Sequence, residues 1–189
     1  MVKKILLFTL VVLCFTKSKA QSFELGAKAG VNFVVFTGDA SDNHINLFNY
    51  HIGAVGRIAI NEKFALQPEL LYSTQRYSYE AYRFYMDYIN LPIMADLGIA
   101  KGLNLQAGLQ FGFNVKNRVK LRAGDDYPGI DEKLENAKSV SVGAGIGVQY
   151  QLPINLFFQA RFTFGITDIY DDGNLKQGLL SLSVGYFIF

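Results

Sequence analysis

Tryptophan is missing from this chain, cysteine occurs once, at Cys14, and there are only four prolines and two histidines. A single cysteine excludes any disulfide within the chain, and its position near the N-terminus removes thiol chemistry from everything after it. Lack of Trp counts mildly against an interfacial aromatic belt, a place that Tyr and Phe also fill. Beyond the N-terminus no apolar run approaches the ~20 residues that a membrane helix needs, so a helical membrane protein is excluded. Basic tracts, recognition-helix patterns and RNA-binding aromatic motifs are absent too, so nucleic acid is not an expected partner.

Half of the 189 residues are nevertheless hydrophobic, dispersed among 18 Gly, 16 Phe and 11 Tyr. That composition suits closely spaced strands flanked by aromatics, and the length suits one domain. Residues 1–20 look like an export signal: Lys3 and Lys4 start it, Ile5 to Phe15 form an apolar core too short to span, and Ser18-Lys19-Ala20 is a small-x-small cleavage site before Gln21. A lipoprotein site at Cys14 is disfavoured by the bulky Leu13 before it. The expected organisation is a cleaved leader, 1–20, and one barrel domain, 21–189. Loss of Lys3, Lys4, Lys17 and Lys19 turns the formal charge from +2 to −2, so the basic balance of the full chain points to no acidic partner.

The stretch 103–116, LNLQAGLQFGFNVK, organises the rest. Its odd positions, from Leu103 through Phe111 and Phe113 to Val115, are all apolar, and its even positions, from Asn104 to Lys116, are glycine or polar. Side chains alternate between faces along a strand, so this is a β-strand with one oily and one wet face. It is long enough to cross hydrocarbon, which takes roughly 9–11 tilted residues.

Seven other stretches alternate in the same way: 22–33, 49–60, 64–76, 84–97, 138–151, 155–167 and 177–189. The fourth strand, 84–97, is the least regular, because Tyr88, Pro92 and Met94 share the inner parity with Asn90 and Asp96. Connections alternate long and short, with loops 34–48, 77–83, 117–137 and 168–176 against turns 61–63, 98–102 and 152–154. This is the pattern of an all-β, eight-stranded antiparallel transmembrane β-barrel with short periplasmic turns, longer external loops and both termini periplasmic. A soluble barrel would place the apolar residues inside, and parity alone does not say which face is which. The bulky apolar face and the glycine-dense polar face favour lipid outside, since eight strands leave a lumen that side chains fill.

Several segments resemble the PorT-like outer-membrane β-barrel family: Leu25-Gly26-Ala27-Lys28-Ala29-Gly30-Val31-Asn32-Phe33, Phe64-Ala65-Leu66-Gln67-Pro68-Glu69-Leu70-Leu71-Tyr72-Ser73, Ile89-Asn90-Leu91-Pro92-Ile93, Ala107-Gly108, and Ala160-Arg161-Phe162 with Gly165-Ile166-Thr167. The likeness spans nearly all of 21–189 in order. It implies an eight-stranded outer-membrane barrel and little about activity; the namesake, linked to secretion of surface proteins, is one branch. The C-terminus departs from the pattern. Leu180, Leu182, Val184, Tyr186 and Ile188 have outward parity and the terminal Phe189 inward, so either the last residue frays or a bulge lies near Gly185.

Candidate chemistry is sparse. His51 has inward parity on a strand, but a general base needs a nucleophile and an orienting group, and no G-x-S-x-G motif accompanies it. His44 lies near Asp39 and Asp42 without metal-site spacing. Asp168, Asp171, Asp172, Gly173 and Asn174 lack the ligand order and closing Glu of a calcium loop, and Asp172-Gly173 is turn chemistry. Loop 117–137 and the strand end before it run from basic (Lys116, Arg118, Lys120, Arg122) to acidic (Asp125, Asp126, Asp131, Glu132, Glu135), a self-neutralising loop or a contact for anionic lipopolysaccharide. Tyr72, Tyr77, Tyr79, Tyr82, Phe84, Tyr85 and Tyr88 cluster around the second loop, as an interfacial girdle or a surface for a protein partner.

Glu24, Lys28, Arg57, Glu69, Asp96 and Arg161 share the inner parity and must pair, because an isolated buried charge is costly. Arg57, diagonal to Glu69, is its expected counter-ion. The two internal prolines, Pro68 and Pro92, predict a break or bulge where strands three and four meet. The resulting expectation is a non-enzymatic envelope protein of structural or interaction role, with no catalytic, cofactor-binding or metal residues and no cofactor. Its partners are outer-membrane lipid and an envelope protein met through the external loops, and it is a monomer. The competing readings are a small barrel enzyme and a lipid- or ligand-binding barrel.

Overall fold

The alternating stretches are eight long strands in a computed structural model that describes residues 22–37, 44–79, 82–121, 131–132, 139–167 and 176–189. They are β1 (Phe23–Thr37), β2 (Asn49–Ala59), β3 (Phe64–Tyr79), β4 (Tyr82–Ala100), β5 (Leu103–Leu121), β6 (Val140–Gln151), β7 (Leu156–Gly165) and β8 (Lys176–Phe187). Each pairs antiparallel with its neighbours in sequence, and β1 pairs with β8 from Gly26 opposite Phe187 to Thr37 opposite Lys176. The sheet is therefore a closed barrel, which leaves no row of backbone groups unpaired in hydrocarbon. Among the described residues no helix is long and apolar enough to cross a membrane.

Alternation decides what each face shows. Leu25, Ile52, Leu70, Ile93, Leu105, Leu109, Phe113, Ile146, Phe158, Leu182 and Val184 all stand exposed on the outer wall. Lys28, Asn32, His51, Gln67, Glu69, Gln106, Gln149, Gln159 and Arg161 are buried in the lumen. From Phe64 to Tyr72 the outward positions of β3 are uninterruptedly apolar, a belt roughly 20 Å high at about 3.3 Å per residue and a tilt near 40°.

Four strands run past the expected ends. β3 continues to Tyr79 and β4 begins at Tyr82, both within 77–83, expected as a loop, and Tyr79 faces Tyr82. β5 goes on to Leu121, and β1 to Thr37. Cross-strand contacts hold the extension: the Tyr77 and Phe84 rings stack at 4.8 Å and 14°. Two short strands border it, His44–Asn46 beside β3 and Asp131–Glu132 beside β5.

The prolines interrupt pairing without adding a residue. Between β3 and β4 the partners Pro68–Ile93 and Leu71–Asn90 flank an unpaired gap at Glu69, Leu70, Leu91 and Pro92. Between β2 and β3, Val55–Glu69 and Ile58–Leu66 flank a gap that holds Pro68. Each proline lacks the N–H that its gap would need. The bulge in this region lies elsewhere: opposite Asp87 and Tyr88, β5 carries Val115 as an extra residue between Asn114 and Lys116.

At the C-terminus β8 keeps its register through Gly185, so no bulge lies there. The slip comes at the end, where the Leu25 N–H donates to the Phe189 carbonyl and the Leu25 carbonyl accepts from Ile188. Phe187 is the aromatic that turns inward, and Phe189 is exposed.

Candidate functional site

Inner residues of β1 mark levels along the lumen, from Glu24 near the short turns through Lys28 and Asn32 to Val34. At the Glu24 level Arg57 binds two carboxylates, Glu24 at 2.8 Å and Asp96 at 3.0 Å. Beside them Val55, Phe157 and Phe187 form a fully buried apolar layer, with the two rings 4.8 Å apart. Phe157 fits because residue 185 is glycine, where a Cβ would run into its ring.

The Lys28 level is ionic. Glu69 accepts from both terminal nitrogens of Arg161, at 2.9 and 2.7 Å, from Gln67 at 2.9 Å, and pairs with the Lys28 ammonium at 2.8 Å. A carboxylate has about four acceptor sites, and these four contacts fill them. Gln159 joins Lys28, Gln106 and Gln149 into the same network. Farther along, Val34, Tyr77, Met86, Tyr88 and Leu179 make a second apolar layer with Phe84 packed on it. The channel is thus plugged by two charged clusters and two apolar layers.

His51 lies between these levels. Its Nδ1 is 2.8 Å from the Asn32 Oδ1 and its Nε2 is 2.8 Å from the Ser183 Oγ. Those contacts assign the proton to Nδ1, with the Ser183 hydroxyl donating to Nε2. Serine, histidine and asparagine are therefore in line, as a nucleophile, base and orienting group would be. The adjoining cavity of about 10 Å³ is no larger than one water and too small for an acyl substrate.

Outside the lumen, the extended parts of β3, β4 and β5 stand in register as rungs. Tyr72, Ile89 and Phe113 form the last apolar rung. Next come Thr74, Asp87 and Lys116, then Arg76, Tyr85 and Arg118, then Ser78, Arg83 and Lys120. Asp87 is buried, held by the Tyr72 hydroxyl at 2.8 Å, with Arg76 at 3.7 Å and Lys116 at 3.9 Å. The Arg76 guanidinium and the Lys120 ammonium both sit over the Tyr85 ring, at 5.7 and 6.0 Å.

A closed barrel with an apolar belt, a plugged lumen and a charged rim is built to sit in a bilayer. The sequence matches the family described as outer membrane protein beta-barrel domain over residues 19–171. The chain belongs to that family. As a member it is an outer-membrane β-barrel, and its fold is similar to solved ones. Neisserial surface protein A (NspA) superposes with a TM-score of 0.56 at 16% identity, covering 88% of this chain and 98% of that one. Ail, the attachment invasion locus protein of Yersinia pestis, solved in complex with the heparin analogue sucrose octasulfate, gives 0.56 at 15% identity over 88% and 99%. No curated protein matches the sequence.

Within this outer-membrane barrel the six inner charges pair as expected, but in a different order. Arg57 pairs with Glu24 and Asp96, and Glu69 with Lys28 and Arg161. The diagonal Arg57–Glu69 pair does not form, because in a lumen this narrow Glu69 reaches β1 and β7 across the axis. Ser183 and Asn32 carried no signal beside His51, since their proximity depends on β8 closing against β1. Lys116 had inner parity, and the Val115 bulge turns it outward. Asp39, Asp42, Arg122, Asp125, Asp126, Glu135 and the 168–174 turn lie outside the described residues, as do 1–20. Among the described residues no group of three or more His, Cys, Asp or Glu side chains is placed to hold a metal ion.

Proposed function

We propose that this barrel is a non-enzymatic, monomeric element of the outer membrane whose work is done by the rim at its long-connection end, as a structural or protein-interaction device of the envelope. The plugged lumen carries this reading: it passes no solute and admits no substrate, while three strands project beyond the belt on one side. Strand length above the belt contributes nothing to spanning, and aromatics such as Tyr82 and Tyr85 suit a protein contact. In this reading the 1–20 leader is removed, the short turns and both termini face the periplasm, and the projecting sheet faces outward. The PorT-like resemblance of Gln67-Pro68-Glu69-Leu70 and Leu91-Pro92 supports a role in protein secretion as its finer form.

Without the leader the chain has no cysteine, so single-cysteine variants report orientation cleanly. In intact cells Arg83→Cys is expected to react with a membrane-impermeant maleimide, and Lys63→Cys only after the outer membrane is opened. The reverse pattern would overturn the orientation. A photo-crosslinking residue at position 78 is expected to trap one envelope protein reproducibly, and repeated absence of any adduct would remove the interaction role. An enzyme reading has one observation in its favour, the Ser183–His51–Asn32 alignment. A fluorophosphonate probe is expected to leave the folded protein unlabelled, whereas labelling abolished by Ser183→Ala would establish the hydrolase instead.

A further inference from the structure

Of the seams between neighbouring long strands, those that do not involve β3 run unbroken through the apolar belt. The two interrupted seams both lie on β3, and the register shows which bonds they lack. At the short-turn end the Ile60 N–H donates to the Phe64 carbonyl, so even-numbered residues exchange backbone bonds across the β2–β3 seam. Followed along the strand, that spacing sets Gly56 against Pro68, and the Gly56 carbonyl meets a nitrogen that carries no hydrogen. On the other side the Gly98 N–H donates to the Lys63 carbonyl, so odd-numbered residues of β3 bond to β4. Glu69 then falls against Pro92, and its carbonyl loses a donor in the same way. Two successive residues of β3 are thus short of one bond each, on opposite sides of the strand.

Both losses sit at mid-belt, where Pro68, Ile93 and Leu109 share a rung. Hydrocarbon offers no water to take the place of the missing donors. The lumen supplies other ties instead. Gln67 donates to Gln149 of β6 at 3.3 Å, and Glu69 binds Lys28 of β1 at 2.8 Å and Arg161 of β7 at 2.7 and 2.9 Å. None of these partners belongs to β2 or β4. The middle of β3 is therefore held across the axis by side chains and only loosely by the strands beside it.

We propose that residues 67–70 form a hatch in the barrel wall, which parts from β2 and β4 while the other seams stay closed, with the contacts of Glu69 to Lys28 and Arg161 as its latch. The apolar layers close the lumen along its axis, so an open hatch joins the ionic level to the bilayer side rather than to either end.

Amide hydrogen exchange reads local opening of this kind. Protein folded into lipid nanodiscs would be compared at two stretches on the same rungs: 66–71, and 107–111 of β5, which is bonded on both sides. Exchange in 66–71 is expected to be on the order of 10-fold faster, the equivalent of one hydrogen bond. Pro68→Ala returns an N–H opposite Gly56, and because residue 68 faces outward the change leaves the lumen packing alone. It should slow 66–71 by about the same factor and leave 107–111 unchanged. Glu69→Gln, which neutralises the latch, should speed 66–71 about 10-fold more than it speeds 107–111. Equal rates for the two stretches in unmodified protein would overturn the proposal, as would a Pro68→Ala variant that exchanges no more slowly. An equal response of both stretches to Glu69→Gln would make Glu69 a support of the whole barrel and overturn the latch. Should that variant fail to fold, the comparison of unmodified protein with Pro68→Ala decides.

Discussion

Glu69 neutralises two buried cations, and they do not depend on it equally. Arg161 makes a two-pronged contact, while Lys28 also donates to Gln159 at 2.6 Å. Glu69→Ala leaves both cations without a counter-ion in a dry site, which costs about 3–5 kcal/mol. Lys28→Met keeps the Arg161–Glu69 pair and removes a surplus positive charge, so its cost should stay within roughly 2 kcal/mol, near that of one hydrogen bond. Gln75→Ala, at a buried neutral group, should fall with the milder change. Urea midpoints in lipid vesicles, read from heat-modifiable gel mobility, are expected in the order Glu69→Ala well below Lys28→Met and Gln75→Ala. Three equal midpoints would show Glu69 to be without this structural role. Parity made the inner charges legible in the sequence, since Glu24, Lys28, Arg57, Glu69, Asp96 and Arg161 interrupt no apolar face. Their partners were not legible. Which cation meets Glu69 depends on distances across the axis, and those follow from the stagger of closed strands, which alternation does not encode.

β3, β4 and β5 cross the same boundary in two ways. Inside the membrane apolar residues must point out, and above it they must point in. On β3 the chemistry changes parity: outward Leu70 and Tyr72 give way to Arg76, and inward Ser73 and Gln75 give way to Tyr77. On β4 it changes likewise, with outward Ile89 followed by Tyr85 and Arg83, and inward Asn90 by Tyr88 and Met86. On β5 the apolar residues keep odd positions throughout, Phe113, Val115 and Val119, and the backbone turns over instead. This is why the fifth strand, the clearest in the sequence, misled at its upper end: its pattern continues while the meaning of the pattern reverses. Deleting Val115 should force Lys116, Arg118 and Lys120 toward Met86 and Tyr88 and open the rim. Trypsin is expected to cut the deletion variant at these sites much faster than unmodified protein or Val115→Gly, which preserves the residue count. Identical cleavage rates would mean that the bulge does not set the facing of the rim.

At the scale of the whole molecule, the lumen that alternation predicts to be polar is also capped, by Val55, Phe157 and Phe187 at one end and by Tyr77, Met86 and Tyr88 toward the other. The caps were hidden in the sequence because each is assembled from one or two residues per strand that look like lapses in a polar face. Planar bilayers containing the protein are expected to show no stable large-conductance openings, and the protein should fractionate with outer membranes. Sustained openings of large conductance would contradict the packing.

The seam between β1 and β8 has a consequence for biogenesis. It joins the first strand of the barrel to be synthesised to the last strand of the barrel, with Gly26 opposite Phe187 and Lys28 opposite Gly185. No shorter piece of the chain is a smaller version of the barrel, since a nascent chain ending anywhere before residue 176 would present two raw backbone edges to hydrocarbon. The cell must therefore keep the barrel strands unassembled through synthesis and export, and can seal the sheet only after β8 has arrived.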